Sequence, residues 1–173
     1  MSSNNSADYD VIAVGAGFAG ISLSYHLREA GFNVKVFDRA SDVGGTWAWN
    51  KYPGAATDSE SYYYCLTFSK EVLQEWSWSK RYSGWEETQS YLKFVMNKFS
   101  LWPMFQLSTE VESAEFDNET GLWNVRTQGG ETHTAKYFVS AMGMISQPVL
   151  PNIAGQDRFN GPIFHSSRWP EGL

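Results

Sequence analysis

Three glycines, Gly15, Gly17 and Gly20, stand at the G-x-G-x-x-G spacing between an apolar β-branched run and a helical pattern. Few folds accept that arrangement. Residues 11–14, Val-Ile-Ala-Val, read as a buried strand. Past the glycines, Gly20, Leu23, Leu27 and Ala30 recur at i, i+3, i+7 and i+10, the stripe of an amphipathic helix that Gly31 ends. Residues 34–37 then form a second apolar strand, closed by Asp38. Each glycine has a distinct use. Gly15 permits the tight turn out of the strand, Gly17 lets backbone approach a pyrophosphate, and Gly20 brings the helix close to the sheet. The leading N–H groups and the dipole of the helix hold phosphate without a basic side chain. Asp38, about 20 residues on, is placed to accept hydrogen bonds from ribose hydroxyls. Glycines in such a turn can serve packing alone. The strand before, the helix after and the acid at the next strand's end together predict a dinucleotide site.

Composition narrows the partners. The 173 residues suit one ordinary domain, and 42% hydrophobic against 18% charged content predicts a globular chain. Eight tryptophans within a 16% aromatic share imply a large apolar cleft or a surface that another domain covers. The formal net charge of −6, without a lysine or arginine cluster, argues against nucleic acid and anionic membrane as partners. Cys65 is the only cysteine, which excludes an internal disulfide and a cysteine-built metal site. His26, His133 and His165 are dispersed without metal-ligand spacing, so no metal is expected. Residues 1–8 form a polar tail without the apolar segment of a signal peptide, and no stretch reaches membrane-span length. The expected setting is cytoplasmic.

Beyond Asp38 the chain departs from a simple nucleotide fold. In place of another helix and parallel strand it enters a loop rich in Gly, Trp and small residues, which argues for a flavin-type variant. Residues 66–78 read as short helix and loop. Ser83-x-x-Glu86 suits a capping box, and Leu92, Val95, Met96 and Phe99 predict an amphipathic helix over 86–99. The period then switches to two. Residues 105–107, 111–116, 122–127 and 132–138 read as strands, with turns at 117–121 and 129–130. Three of them make an antiparallel meander, and residues 138–141 look like a strand returning to the parallel sheet. Residues 146–173 carry four of the six prolines and read as a linker. The fold class is therefore α/β, a Rossmann-like parallel sheet plus an antiparallel β-meander, with residues 9–145 as the nucleotide-binding domain.

Other groups offer chemistry with a plainer reading beside it. Gly44 and Gly45 let backbone N–H groups face a phosphate or a flavin edge, with Trp47 as a flat wall; the same loop also reads as a turn with a core tryptophan. Asp58 and Glu60 suit an acid–base pair, or are solvated and capping carboxylates. His26 and His133 read as structural, and Cys65, among aromatics, as a small buried side chain.

The last stretch carries the most specific pattern, F-x-G-x-x-x-H-x-x-x-W-P, with its fixed positions at Phe159, Gly161, His165, Trp169 and Pro170. With the block GGTWAWNKYPGAATDSES it resembles the type I Baeyer–Villiger monooxygenases among the class B flavin monooxygenases, from about residue 8 to the last. The resemblance implies a two-dinucleotide-binding-domain architecture of which this is the FAD part. It implies FAD held by Gly15, Gly17, Gly20 and Asp38, with further contacts from Gly45, Thr46, Trp47 and Asp58. Candidate contacts extend to Ala16 and Phe18 in the turn, Arg39 beside the acid, and Tyr64, Val111, Ala141 and Gly143. In that family reduced flavin and oxygen convert a ketone to an ester or lactone. Asp58 is a candidate catalytic group, while His165 belongs to the segment joining the FAD and NADPH domains and acts on domain arrangement.

The sequence departs from the family at three positions near the site. Asp38 stands where Glu is usual, Ala56 where an arginine is usual, and Met142 where a smaller residue is common. The family's chains are also much longer, with a second G-x-G-x-x-G for NADPH and a catalytic arginine beside the flavin, and neither occurs here. The expectation is a truncated FAD portion of such an oxygenase, needing NADPH only if a second domain supplies its site. Its partners would be FAD, a small ketone, and a second polypeptide or another copy on the uncovered face. The alternative is a non-redox nucleotide- or partner-binding scaffold. A remnant fold reused for isomerisation, with Asp58 or His165 as base, has no specific support.

Overall fold

The computed structural model describes residues 6–170 and residue 172. Alternation of side chains sorts the first strand, β1 (Tyr9–Val14), between two apolar layers. Val11 and Ala13 pack with Val34 and Val36 beneath Leu23 and Leu27. Ile12 faces the other way, with Phe37, Val125 and Ala135. Both faces of the strand are covered, which is why it reads as a continuous apolar run. Helix α1 (Phe18–Glu29) follows the glycines, and Gly31 closes it at φ 85°. Its buried face is Gly20, Ile21 and Ser24, with Leu23 and Leu27 half-buried. Ala30, expected on that stripe, is exposed because it lies past the last helical residue as the C-cap.

Strand β2 (Val34–Phe37) pairs parallel with β1, and the short β3 (Phe105–Gln106) pairs parallel with β2. Strands β4 (Val111–Asp117), β5 (Leu122–Thr127) and β6 (Thr132–Ser140) supply the rest of a six-stranded sheet in the order β3-β2-β1-β6-β5-β4. The antiparallel meander is present. Its last strand and the expected returning strand are one element: β6 pairs antiparallel with β5 from Thr132 to Ala135 and parallel with β1 from Ala135 to Ser140. A nine-residue strand reaches both neighbours, so no break is needed after Phe138.

The long loop after Asp38 contains one short helix, α2 (Thr46–Trp49), and a 3-10 turn at Ser61–Tyr64. Helix α3 (Lys70–Glu75) lies inside the stretch read as short helix and loop, capped by the Ser69 hydroxyl. Helix α4 (Trp85–Lys98) starts from Gly84 rather than from a Ser83 capping box. Ser83 is buried, and its hydroxyl lies 2.7 Å from that of Ser61. Glu86 and Glu87 do occupy the first turn, where they complement the dipole. Tyr91, Leu92, Val95 and Met96 form the buried face of α4, in one cluster with Ile21, Val43, Val72 and Leu101. Past Ser140 the described chain has only two 3-10 turns, at Gln156–Arg158 and Ser166–Arg168. Among the described residues no helix is long and apolar enough to cross a membrane.

Candidate functional site

Strand order places the site. β1 has parallel neighbours on both sides, so the carboxyl ends of β2, β1 and β6 lie together around the turn into α1. A crevice outside such strand ends is where an open α/β sheet takes its ligand. The turn is held from three directions. Gly15 donates to the Phe37 carbonyl (2.8 Å), and Ala141, just past β6, donates to Val14 (2.8 Å). From the long loop, Gly44 donates to Ala16 (2.9 Å).

The three glycines do different work. At φ 118° Gly15 has a conformation that favours glycine, and a Cβ there would stand 2.3 Å from the Ala141 carbonyl oxygen. A Cβ on Gly20 would stand 1.9 Å from the Gly15 carbonyl oxygen. Gly17 is the N-cap of α1 and faces Gly45, whose φ is 55°. The paired glycines of the long loop thus lie directly against the first turn.

Electrostatics favour an anion here. Ile21 makes the first bond of the helix, to the Gly17 carbonyl at 3.0 Å, so the N–H groups of Phe18, Ala19 and Gly20 precede it without a helical acceptor. No side chain caps the end, and the first turn holds no acidic residue. The free N–H groups and the positive end of the dipole suit the phosphates of a dinucleotide.

Asp38 is buried and holds the turn directly. Its two carboxylate oxygens accept from the N–H of Ala16 (2.6 Å) and of Ala40 (2.7 Å). Arg39 points away, donating to the Ser146 carbonyl and to Gln147 Oε1. A polar cavity of about 460 Å³ opens beside it, lined among others by Gln106, Ser108, Thr109, Gln128 and Glu131.

The remaining predicted contacts fall into two groups. Trp47 is buried and Thr46 exposed on α2. Phe18, Trp47 and Tyr64 form one aromatic wall, with the Tyr64 ring 5.6 Å from Phe18 and 5.7 Å from Trp47. Burial, and then the charge of Asp58, raise the Tyr64 hydroxyl pKa. Asp58 itself is exposed. Glu60, its expected partner, accepts from Arg81 Nε at 2.8 Å. That carboxylate is ion-paired rather than solvated or capping, an arrangement neither reading of it anticipated.

Val111, Gly143 and His165 stand apart. Val111 packs into the cluster of Ile12, Phe37, Val125 and Ala135, and Gly143 is exposed at φ 75° with open space around it. His165 Nδ1 accepts from the N–H of Ser167 (3.1 Å), which closes its own 3-10 turn. His26 is exposed, with its ring 5.3 Å from that of Phe68. His133 is half-buried against Phe37. Cys65 is half-buried and accepts from the Trp78 indole N–H.

Sequence reasoning missed Gln89. It is buried on α4, and its Nε2 donates to the Val43 carbonyl at 2.8 Å, bracing the glycine loop from behind. A polar residue three positions before Leu92, on the apolar face of the helix, was the available signal.

Comparison with known proteins follows the same lines. Residues 14–76 match a family model described as an NAD(P)-binding Rossmann-like domain. A Baeyer–Villiger monooxygenase of Pseudooceanicola batsensis is 45% identical over 96% of this chain and 31% of its own length. A phenazine N-monooxygenase of Lysobacter antibioticus is 44% identical over 100% and 32%. A cyclohexanone 1,2-monooxygenase of an Acinetobacter species is 42% identical over 96% and 31%. Among solved structures, one of OTEMO in complex with FAD and NADP is 34% identical, with a TM-score of 0.90 over 98% of this chain and 32% of that one. The chain spans about a third of the length of the curated relatives it matches. By sequence and by fold together the chain is similar to flavin-type monooxygenases, Baeyer–Villiger monooxygenases among them, over about a third of their length.

Proposed function

We propose that this chain is the FAD-binding portion of a flavin-dependent monooxygenase of Baeyer–Villiger type. The observation that carries the reading is the uncapped start of α1, enclosed by Gly45 and Ala141 and placed at the carboxyl end of β1 beside Asp38. The diphosphate of FAD would lie on the N–H groups of residues 17–20, with the ribose toward Asp38. Each Asp38 oxygen already accepts one backbone N–H and retains a lone pair for a hydroxyl. Ala16, Phe18, Thr46, Trp47 and Tyr64 complete the proposed surroundings, with Asp58 exposed at the mouth, while Arg39, Val111 and Gly143 stand away from the glycine turn and are left out of it.

When bound, flavin supplies the two-electron exchange with substrate and oxygen that side chains cannot. What the protein's own residues contribute is the phosphate cradle and the aromatic wall of Phe18, Trp47 and Tyr64, which excludes water from one side. Residues 9–145 form the proposed FAD unit and 146–173 the segment leading toward an NADPH domain, which would come from further sequence or another chain. The proposed substrate class is a small ketone, taken to an ester or lactone with oxygen and NADPH, in a cytoplasmic setting.

A second reading, a nucleotide-holding scaffold that contacts partners without turnover, is favoured by the exposed apolar run at Met144, Ile145, Val149 and Leu150. Titrating the purified chain with FAD tests the main proposal. Flavin fluorescence should change on binding, and the unfolding free energy should rise by about 2.7 kcal/mol at a hundredfold excess over Kd. An unchanged flavin signal with an unmoved melting temperature would overturn it. Ester formed from a ketone by the chemically reduced, FAD-loaded chain would sink the scaffold reading.

A further inference from the structure

Burial does little to hold residues 142–164 in place. Met144, Ile145, Val149, Leu150, Ile153 and Phe159 are all more than half exposed, and no described strand pairs with them. Both ends of the segment are nevertheless fastened to one surface. At the near end Arg39 bonds the Ser146 carbonyl and Gln147. At the far end the Arg168 guanidinium carbon stands 4.3 Å from the ring centroid of Trp49, and that of Arg39 stands 5.5 Å from the same ring. Neither arginine has a carboxylate partner among the described residues. Trp49 is the last residue of α2, whose N-cap Gly45 lies against Gly17. Two cations on one indole, and one short helix between that indole and the glycine turn, make a continuous physical path.

We propose that Trp49, flanked by Arg39 and Arg168, is the anchor that seats the 146–168 segment on the dinucleotide loop, so that a ligand ordering the glycine turn also orders the segment. Arg168 is a positioning residue in this scheme. Only the identity of the ligand, FAD, rests on the function proposed above.

Chymotrypsin digestion of the chain, with cleavage at Phe159 and Phe164 followed by mass spectrometry, tests the anchor. An exposed cation–π contact corresponds to about a two- to fivefold change in a local opening equilibrium. Without ligand, Arg168→Ala should therefore be cut about two- to fivefold faster than the parent. Arg168→Leu, which keeps bulk without charge, should behave like the alanine variant, and Arg168→Lys should return toward the parent rate. Arg168 lies on the surface, so these variants keep the fold. Parent-like cleavage of either the alanine or the leucine variant would overturn the anchor. With saturating FAD the parent should be further protected and Arg168→Ala much less so; equal protection would overturn the coupling. If flavin fluorescence shows no binding, the FAD reading falls while the ligand-free rates still decide the anchor.

Discussion

At the scale of single residues, the glycines separate folding from binding. Gly15 and Gly20 are required by packing, since a Cβ on either would penetrate a backbone carbonyl, at 2.3 and 1.9 Å. Gly17 is not so constrained: its φ is −89°, and a Cβ would meet Gly45 Cα at 3.4 Å, an ordinary contact. Gly17→Ala should thus cost less than about 1 kcal/mol of stability. It should still weaken FAD binding at least about tenfold, because the methyl stands where the pyrophosphate approaches. Gly20→Ala should lose about 1–3 kcal/mol from overpacking and bind poorly as a consequence. Urea melts and flavin titrations of the two variants check this, and a Gly17→Ala chain binding FAD as the parent does would remove the phosphate from that place. Asp38 shows what one methylene changes. The shorter acid reaches the Ala16 and Ala40 N–H groups, so it fixes the shape of the turn as well as facing the sugar.

At the scale of elements, the seam between β1 and β6 is where acid should act. Asp8 accepts from the Thr134 N–H (2.7 Å) and hydroxyl (2.8 Å), and that backbone N–H is the main cause of its lowered pKa. Asp10 is lowered chiefly by the hydrogen bond from Lys136, across the same seam. Both carboxyls fall below their ordinary 3.8 in the folded state. Their contribution to stability is present above that value and is lost as pH falls through and below it. The urea midpoint should hold steady above about pH 5 and drop below about pH 4, and Asp8→Asn should flatten that acid limb. Identical acid limbs in parent and variant would show that the seam does not depend on Asp8.

Local pattern made most of these elements legible. The glycine spacing, the period-two strands at 111–116 and 122–127 and the face of Leu92, Val95 and Met96 all stand as read. What sequence could not show depends on neighbours distant along the chain. That β6 runs unbroken past Phe138 follows from having β5 and β1 as partners in turn. Ser83 looked like a cap, yet its hydroxyl turns to Ser61, 22 positions away. Glu60 looked like half of an acid pair, yet Arg81 takes it. The glycine turn was the exception because the uncapped start of its helix is local. Its bracing by Gln89 and Ala141 was not.

At the scale of the whole molecule, the proposed nucleotide crevice and an exposed apolar segment share a chain covering about a third of its relatives' length. Oxygen transfer from a reduced flavin to substrate requires a pocket that keeps water out, whereas reoxidation by oxygen alone does not. Phe18, Trp47 and Tyr64 wall one side of the proposed flavin site, but Thr46 and Asp58 at its mouth are exposed. The start of α1 offers one phosphate cradle, which the proposed flavin would fill. The FAD-loaded chain by itself should therefore take electrons from dithionite or light but not at a useful rate from NADPH. On admission of air it should release about one hydrogen peroxide per flavin and leave cyclohexanone unchanged. Stopped-flow absorbance, a peroxide assay and gas chromatography read the three quantities in one sample. Lactone in place of peroxide would mean that this half of the pocket is closed enough to steer oxygen onto a ketone unaided. The wall of three aromatic rings would then supply the dryness that oxygen transfer requires.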